Sequence, residues 1–102
     1  MIYNSKNMYI ICTVLFHLYI NGSHSLKDKR SVIKPIIHRL HREFNISVSE
    51  VNKMDAWNEA ILVCAHVSND KNFSQSYVQR IIAFIEKYFN NIDLMDTRIE
   101  IF

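Results

Sequence analysis

Glycine, proline and cysteine are scarce in this chain of 102 residues, which has one glycine, one proline and two cysteines. A single glycine excludes a glycine-rich phosphate loop, a collagen repeat and a flexible glycine-rich linker. Cys12 and Cys64 are too few for a disulfide framework and do not form the short cysteine pair of a zinc site. Each lies within an apolar run, so we expect two buried thiols in a reducing compartment.

Membrane-spanning and catalytic patterns are also missing. The apolar run from Met8 to Ile20 has 13 residues, which is too short to cross a membrane, and no signal-peptide cleavage pattern follows it. No metalloprotease motif, paired-carboxylate motif or phosphate loop occurs in the chain. We therefore expect a cytoplasmic protein that is not an enzyme, uses no cofactor or metal ion, does not bind membranes and has no small-molecule substrate.

The chain does contain enough apolar sequence for one core. Hydrophobic residues make up 49% of it and aromatic residues 12%, a composition that argues against disorder. A chain of this length buries one modest core on folding. We predict a single domain over residues 8–102, preceded by an N-terminal extension, residues 1–7, that we expect to be disordered.

Four segments have the patterns of β-strands. Met8–Ile20 and Ala60–Ser68 are apolar at both odd and even positions, as central strands of a sheet are. Residues 46–51 alternate between apolar and polar, which indicates a half-exposed strand. Residues 93–101 form the last predicted strand. Alternation places four of its residues on one face: Met95, Thr97, Ile99 and Ile101.

Two segments repeat apolar residues with the period of an α-helix. The first runs from Leu26 to Phe44 and follows Ser25, a good N-cap residue. Pro35 lies inside this segment and removes one backbone hydrogen bond. It either kinks a single helix, which the continuous apolar stripe favours, or starts a second helical segment. The second helix is predicted over residues 71–89.

The predicted order is β-α-β-β-α-β, which is the order of a ferredoxin-like α+β sandwich. Right-handed crossovers in each half give a four-stranded antiparallel sheet with both helices on one face. The other sheet face is then open, and the second apolar sets of the two central strands point toward it. One hypothesis is therefore a protein-interaction module, which forms a homodimer or docks a partner through this open face or an edge strand.

Charge is unevenly distributed along the chain. Between His24 and Phe44 six basic residues stand against two acidic ones, a net charge of +4, whereas the rest of the chain carries −2. At about 100° per residue, six side chains of the first helix fall within about a third of its circumference. This basic flank consists of Lys27, Arg30, Lys34, His38, His41 and Arg42.

The basic flank has three interpretations. Like charges gathered on one side of a helix repel one another, and the phosphates of a nucleic acid would relieve that repulsion and release counterions. The flank is therefore a candidate nucleic-acid-binding surface. The alternatives are an ordinary solvated basic face and a surface for an acidic protein or for lipid headgroups. His38 and His41 are three residues apart and could share a metal ion, but no carboxylate or cysteine completes the ligand set.

The only tryptophan, Trp57, lies in the connection between the second and third strands and has two possible roles. As a structural residue it would cap the open end of the core with its N–H bonded to the backbone. As a functional residue it would anchor a partner or stack on a base. The aromatic pattern of an RNA-recognition motif is absent, so phosphate contact through the helix is favoured over base stacking on the sheet.

Four segments together resemble the bacterial YlxP-like family, whose function is unknown. They are Ser23-His24-Ser25-Leu26-Lys27-Asp28-Lys29-Arg30, Phe44-Asn45-Ile46-Ser47-Val48-Ser49-Glu50-Val51, Asp55-Ala56-Trp57 and Val67-Ser68-Asn69-Asp70. The resemblance implies a ferredoxin-like fold in a cytoplasmic bacterial protein. Genes of the family often neighbour those for translation initiation and ribosome maturation, which implies RNA or ribosomal particles as partners. The family resemblance implies no catalytic residues.

Overall fold

Four strands and two helices lie within residues 8–102, in the predicted order. The computed structural model describes residues 8–102, and the predicted extension over residues 1–7 lies outside them. The elements are β1 (Ile10–Ile20), α1 (Leu26–Glu43), β2 (Ser47–Val51), β3 (Glu59–Ser68), α2 (Lys71–Tyr88) and β4 (Ile92–Ile101). Within residues 8–102 no helix is long and apolar enough to cross a membrane.

The strands form one antiparallel sheet in the order β2-β3-β1-β4. The two strands that are apolar at odd and even positions, β1 and β3, are therefore the central pair, as their pattern predicts. Even-numbered residues of both strands are buried, from Cys12 to Ile20 in β1 and from Ala60 to His66 in β3. Odd-numbered residues point to the open face. The ferredoxin-like α+β fold is confirmed.

The core lies between the sheet and the two helices. α1 contributes Ile33, Ile36 and Leu40, and α2 contributes Val78, Ile81 and Ile85. These residues recur every three or four positions, so each helix buries one stripe and leaves its other sides to solvent. Burying each large apolar side chain contributes about 1.5–3 kcal/mol. The burial therefore fixes which side of α1 faces outward.

The start of α1 is set by local hydrogen bonds. Gly22 has a φ of +75° in the turn before the helix, a conformation that glycine adopts without strain. The hydroxyl of Ser25 accepts a hydrogen bond from the Asp28 amide at 3.0 Å, so Ser25 is the predicted N-cap. The Asp28 carboxylate in turn accepts from the His24 amide at 3.0 Å. α1 then runs through Pro35 as one helix.

One predicted feature of β4 is wrong. Simple alternation places Met95 with Thr97 and Ile99, but the pairing of β1 with β4 shifts between His17 and Leu18. Asp96 pairs with His17 and Leu94 with Leu18, so Met95 is an extra residue with no partner in the register. Such a bulge reverses the alternation on one side of it. Leu94 packs against the core instead, and Met95 is 60% exposed.

Both thiols are buried and free, as predicted. Cys12 lies in β1 and Cys64 in β3, both on the sheet face that the helices cover. Burial raises the pKa of Cys64 to about 12 and also raises the pKa of Cys12. Because the thiolate is the reactive form, these groups act as small core residues rather than as nucleophiles.

Candidate nucleic-acid interface on the helical face

All six residues of the basic flank are exposed on α1. The buried stripe of this helix packs toward the sheet, and the flank follows the opposite, outward side. Within residues 8–102, the only acid within 4 Å of a flank cation is Glu43, whose carboxylate lies 3.6 Å from Arg42 on the exposed surface. A pair of this kind contributes little to stability and is readily exchanged for another anion.

Lys29 is the first of two basic residues of α1 that lie outside the flank. Its side chain is 3% exposed, and its ammonium lies 2.8 Å from a Glu50 carboxylate oxygen of β2. The ammonium also donates hydrogen bonds to the backbone carbonyls of Lys53 at 3.1 Å and Ala56 at 3.0 Å. The Lys29 ammonium is therefore paired and hydrogen-bonded within the protein. These contacts join α1 to β2 and to the β2–β3 connection.

The second such residue, Arg39, faces α2. Its guanidinium carbon lies 5.3 Å from the ring centre of Phe84 and 5.1 Å from those of Tyr88 and Phe89. These distances are those of cation–π contacts. Lys29 is thus buried and Arg39 is half-buried against the rings of α2, so the fully exposed basic residues of α1 are those of the flank.

The β2–β3 connection packs against the start of α1. The Ser23 hydroxyl donates a hydrogen bond to the Trp57 carbonyl at 2.6 Å, and the Ile20 amide donates to the Asn58 carbonyl at 2.8 Å. Asn52 and Lys53 have φ values of 51° and 41°, a left-handed conformation that asparagine tolerates but that costs about 1–2 kcal/mol in a residue such as lysine. The bond from Lys29 to the Lys53 carbonyl holds this strained turn.

Trp57 does not cap the core, so the structural role predicted for it is wrong. Its side chain is 58% exposed, because its backbone rather than its ring is tied to the turn before α1. Met54, in the same connection, is also 58% exposed. It lines a groove of about 280 Å³ together with Arg30 and Lys34 of the flank. The structure thus adds Met54, which the sequence did not single out, beside the flank.

A second groove lies between α1 and α2 and is not among the sites predicted from the sequence. It has a volume of about 420 Å³ and combines basic and aromatic side chains: Arg39, Glu43, Phe44, Arg80, Ala83, Phe84, Lys87 and Tyr88. These residues come from helices about 40 positions apart in the chain. One signal was available, since Arg80 and Lys87 are seven residues apart and so share one side of α2.

The two strand histidines form ordinary structural contacts. His17 lies on the open face and its ring nitrogen is 2.7 Å from Glu59. This hydrogen bond is the main reason that the pKa of Glu59 is lowered. His66 is buried and stacks on Tyr77, with 4.8 Å between the two ring centres. Its burial lowers its pKa. Among the residues described, no three His, Cys, Asp or Glu side chains gather as a metal site would require.

The open sheet face has a different character from the helical face. Its centre is apolar, with half-buried Leu15, Ile61 and Val63. The register places an acidic edge along β4, because Asp93, Asp96 and Glu100 pair with the outward residues Tyr19, His17 and Thr13 of β1. Arg98 is the one cation in this row, and it lies 3.5 Å from Asp96. The two faces therefore carry opposite charge.

Residues 11–99 match the model of a protein family described as Protein of unknown function (DUF503). The chain belongs to this family. It is also 38% identical over 78 residues to the "Uncharacterized protein YlxP" of Bacillus subtilis (strain 168), an alignment that covers 76% of this chain and 84% of that protein. The resemblance to YlxP-like proteins is confirmed, and neither description names a catalytic activity.

Two solved structures are similar to this DUF503 protein in fold. The de novo designed protein Foldit4 matches with a TM-score of 0.53 and 18% identity, covering 92% of this chain and 96% of its own. SnoaB, a cofactor-independent oxygenase from Streptomyces nogalater, matches with a TM-score of 0.47 and 11% identity over 90% of each chain. The similarity to Foldit4 concerns the fold alone, and the similarity to SnoaB is too low to indicate a function.

Proposed function

We propose that this DUF503 protein binds RNA, free or in ribosomal particles, through the basic flank of α1, and that it does so without catalysing a reaction. One observation carries the proposal. The six flank residues are all exposed on one side of the helix, while Lys29 and Arg39, the other two cations of α1, are engaged by Glu50 and by aromatic rings.

The dimensions of the flank suit an extended polyanion. From Lys27 to Arg42 an α-helix rises about 22 Å, at about 1.5 Å per residue. A row of basic side chains of this length can face several successive phosphates of one strand. Each phosphate contact releases counterions, which favours binding at low salt concentration. In the free protein these like charges repel one another, and bound phosphates would relieve that repulsion.

The distribution of charge on the rest of the molecule also favours contact between RNA and the helical face. The acidic edge of the sheet, Asp93, Asp96 and Glu100, belongs to the face opposite the helices. A polyanion approaching the protein is therefore repelled by one face and attracted by the other. This asymmetry orients the helical face toward RNA before contact.

Binding of RNA is expected to depend steeply on salt. With the four Lys and Arg residues of the flank on phosphates, the affinity should fall about 50- to 150-fold between 50 and 200 mM KCl. Fluorescence anisotropy of an end-labelled RNA oligonucleotide titrated with the purified protein measures this fall. An affinity that does not change with salt, or no binding at 50 mM KCl, contradicts the proposal.

The apolar centre of the open sheet face favours a second candidate function. Leu15, Ile61 and Val63 are half-buried there with no element of this chain packed over them among residues 8–102. A second copy, or another protein, would bury these side chains. Light scattering on a concentrated sample is expected to give the mass of a dimer if the chain self-associates. A monomer mass at every concentration excludes the homodimer.

A further inference from the structure

The groove between α1 and α2 combines positive charge with aromatic surface. Its three cations are Arg39 from α1 and Arg80 and Lys87 from α2, and its one acid is Glu43. Phe44, Phe84 and Tyr88 supply apolar walls. At about 420 Å³ the groove lies in the size range of small-ligand sites. It is larger than a phosphate group alone requires.

The cations of this groove are held in place by aromatic rings. Arg80 lies 5.9 Å from the ring centre of Phe44 and 5.5 Å from that of Tyr77, and Lys87 lies 5.2 Å from Tyr88. The Arg39 guanidinium lies 5.1–5.3 Å from the ring centres of Phe84, Tyr88 and Phe89. Contact with a ring uses the face of a guanidinium and leaves its N–H edges available. The side chains therefore lose little freedom when an anion binds.

Arg39 has an unsatisfied donor in this position. Its Nε atom is buried and has no hydrogen-bond partner among residues 8–102. A buried N–H without an acceptor is unfavourable, so a small movement of the Arg39 side chain that brings this N–H to an acceptor oxygen in the groove relieves a cost already present in the free protein. Phosphate oxygens are the acceptors that the planar guanidinium recognises best.

The aromatic walls favour a nucleotide over a bare phosphate. Unpaired bases stack on aromatic rings, which the groove offers in Phe84 and Tyr88. In a duplex the bases are stacked inside the helix and cannot enter such a groove. Arg42, at the end of the basic flank, is one residue before Glu43 of the groove. One RNA strand can therefore run from the flank into the groove.

We infer that the α1–α2 groove binds one unpaired nucleotide, with its phosphate on the N–H groups of Arg39 and Arg80 and its base against Tyr88 and Phe84. The inference rests on the proposed function and narrows it to single-stranded RNA. Glu43 at the same groove opposes the anion, so its removal strengthens binding.

Titration with adenosine 5′-monophosphate tests the groove without RNA. In ¹H–¹⁵N spectra of the full chain, the Arg39 Nε–H signal and the amides of residues 80–88 are expected to shift in a saturable way. Adenosine and inorganic phosphate, as separate probes, should each bind at least about tenfold more weakly. No saturable shift overturns the inference, and inorganic phosphate binding as tightly as the nucleotide overturns the role of the base.

Exposed groove residues give variants that keep the fold. Arg80→Gln and Tyr88→Ser should each weaken binding of the monophosphate and of a single-stranded RNA at least about fivefold, whereas Glu43→Gln should strengthen both. Lys71→Gln, on the same helix but away from the groove, is the matched control and should change neither. Equal affinities for Arg80→Gln, Tyr88→Ser and the control overturn the inference.

The same measurements separate this inference from the proposed function. If charge changes in the basic flank weaken RNA binding but Arg80→Gln and Tyr88→Ser do not, the groove site is wrong and the proposed function stands. If the monophosphate binds in the groove but RNA does not bind the protein, the proposed function is wrong and the groove is a site for mononucleotides.

Discussion

Replacing Lys29 by methionine is expected to lower the free energy of unfolding by about 3–5 kcal/mol, the usual cost of removing one partner of a buried ion pair. The change keeps the volume of the side chain but removes its charge. The Glu50 carboxylate, 20% exposed, then loses the ammonium that lies 2.8 Å away. The carbonyls of Lys53 and Ala56 lose their donor as well. Urea denaturation followed by circular dichroism measures the effect.

The matched control for this prediction is Lys27→Met. Lys27 lies two residues before Lys29 on the same helix but is exposed, so its replacement should change the free energy of unfolding by less than about 0.5 kcal/mol. If the two variants were equally stable, the contacts of Lys29 would contribute nothing, and its role in joining α1, β2 and the β2–β3 connection would be wrong.

The order of elements and the position of the core were predictable because they follow from local patterns. β1 and β3 are apolar at odd and even positions, and this pattern identifies central strands wherever they occur. Ser25 is an N-cap because its hydroxyl bonds an amide only three residues away. The helices show their buried stripes in the spacing of their own residues. None of these features depends on a distant part of the chain.

Features that depend on pairing between elements were not predictable. The bulge at Met95 arises from the register between β4 and β1, and nothing in the sequence of β4 marks it. The angular position of Lys29 excludes it from the basic flank, but its partners Glu50, Lys53 and Ala56 are known only once the β2–β3 connection packs on α1.

The structure explains part of the family resemblance. Lys29 lies in the first of the matching segments, Glu50 in the second and Ala56 in the third, and the ammonium of Lys29 contacts the other two. Ser23 and Trp57 join the first and third segments again. The cluster uses the side chains of Lys29, Glu50 and Ser23 but only the backbone carbonyls of Ala56 and Trp57, so it accounts for the first three residue types and not for the exposed ring of Trp57.

The composition of the α1–α2 groove could be predicted only in part. Arg80 and Lys87 share one side of α2 by their spacing, yet that side faces Arg39 only through the packing of the two helices. The basic flank could be predicted from the sequence alone, because all its members lie on one helix. It could not show that Arg39 lies among rings of α2.

Reversing three charges of the basic flank is expected to abolish RNA binding. The triple variant Lys27→Glu, Arg30→Glu and Lys34→Glu removes three phosphate contacts and places three like charges opposite the strand. The affinity for an RNA oligonucleotide at 50 mM KCl should fall by about 100-fold or more. All three residues are exposed, so the circular dichroism spectrum and the urea midpoint should stay close to those of the unchanged protein.

The most direct test of RNA binding by the helical face compares this variant with one of identical net charge. The second variant, Lys53→Glu, Lys71→Glu and Arg98→Glu, reverses three exposed cations outside the flank and the groove. Anisotropy titrations with the same RNA at 50 mM KCl should give a dissociation constant at least about tenfold weaker for the flank variant than for the second variant. Equal dissociation constants would show that net charge alone attracts RNA and would contradict a binding surface on α1.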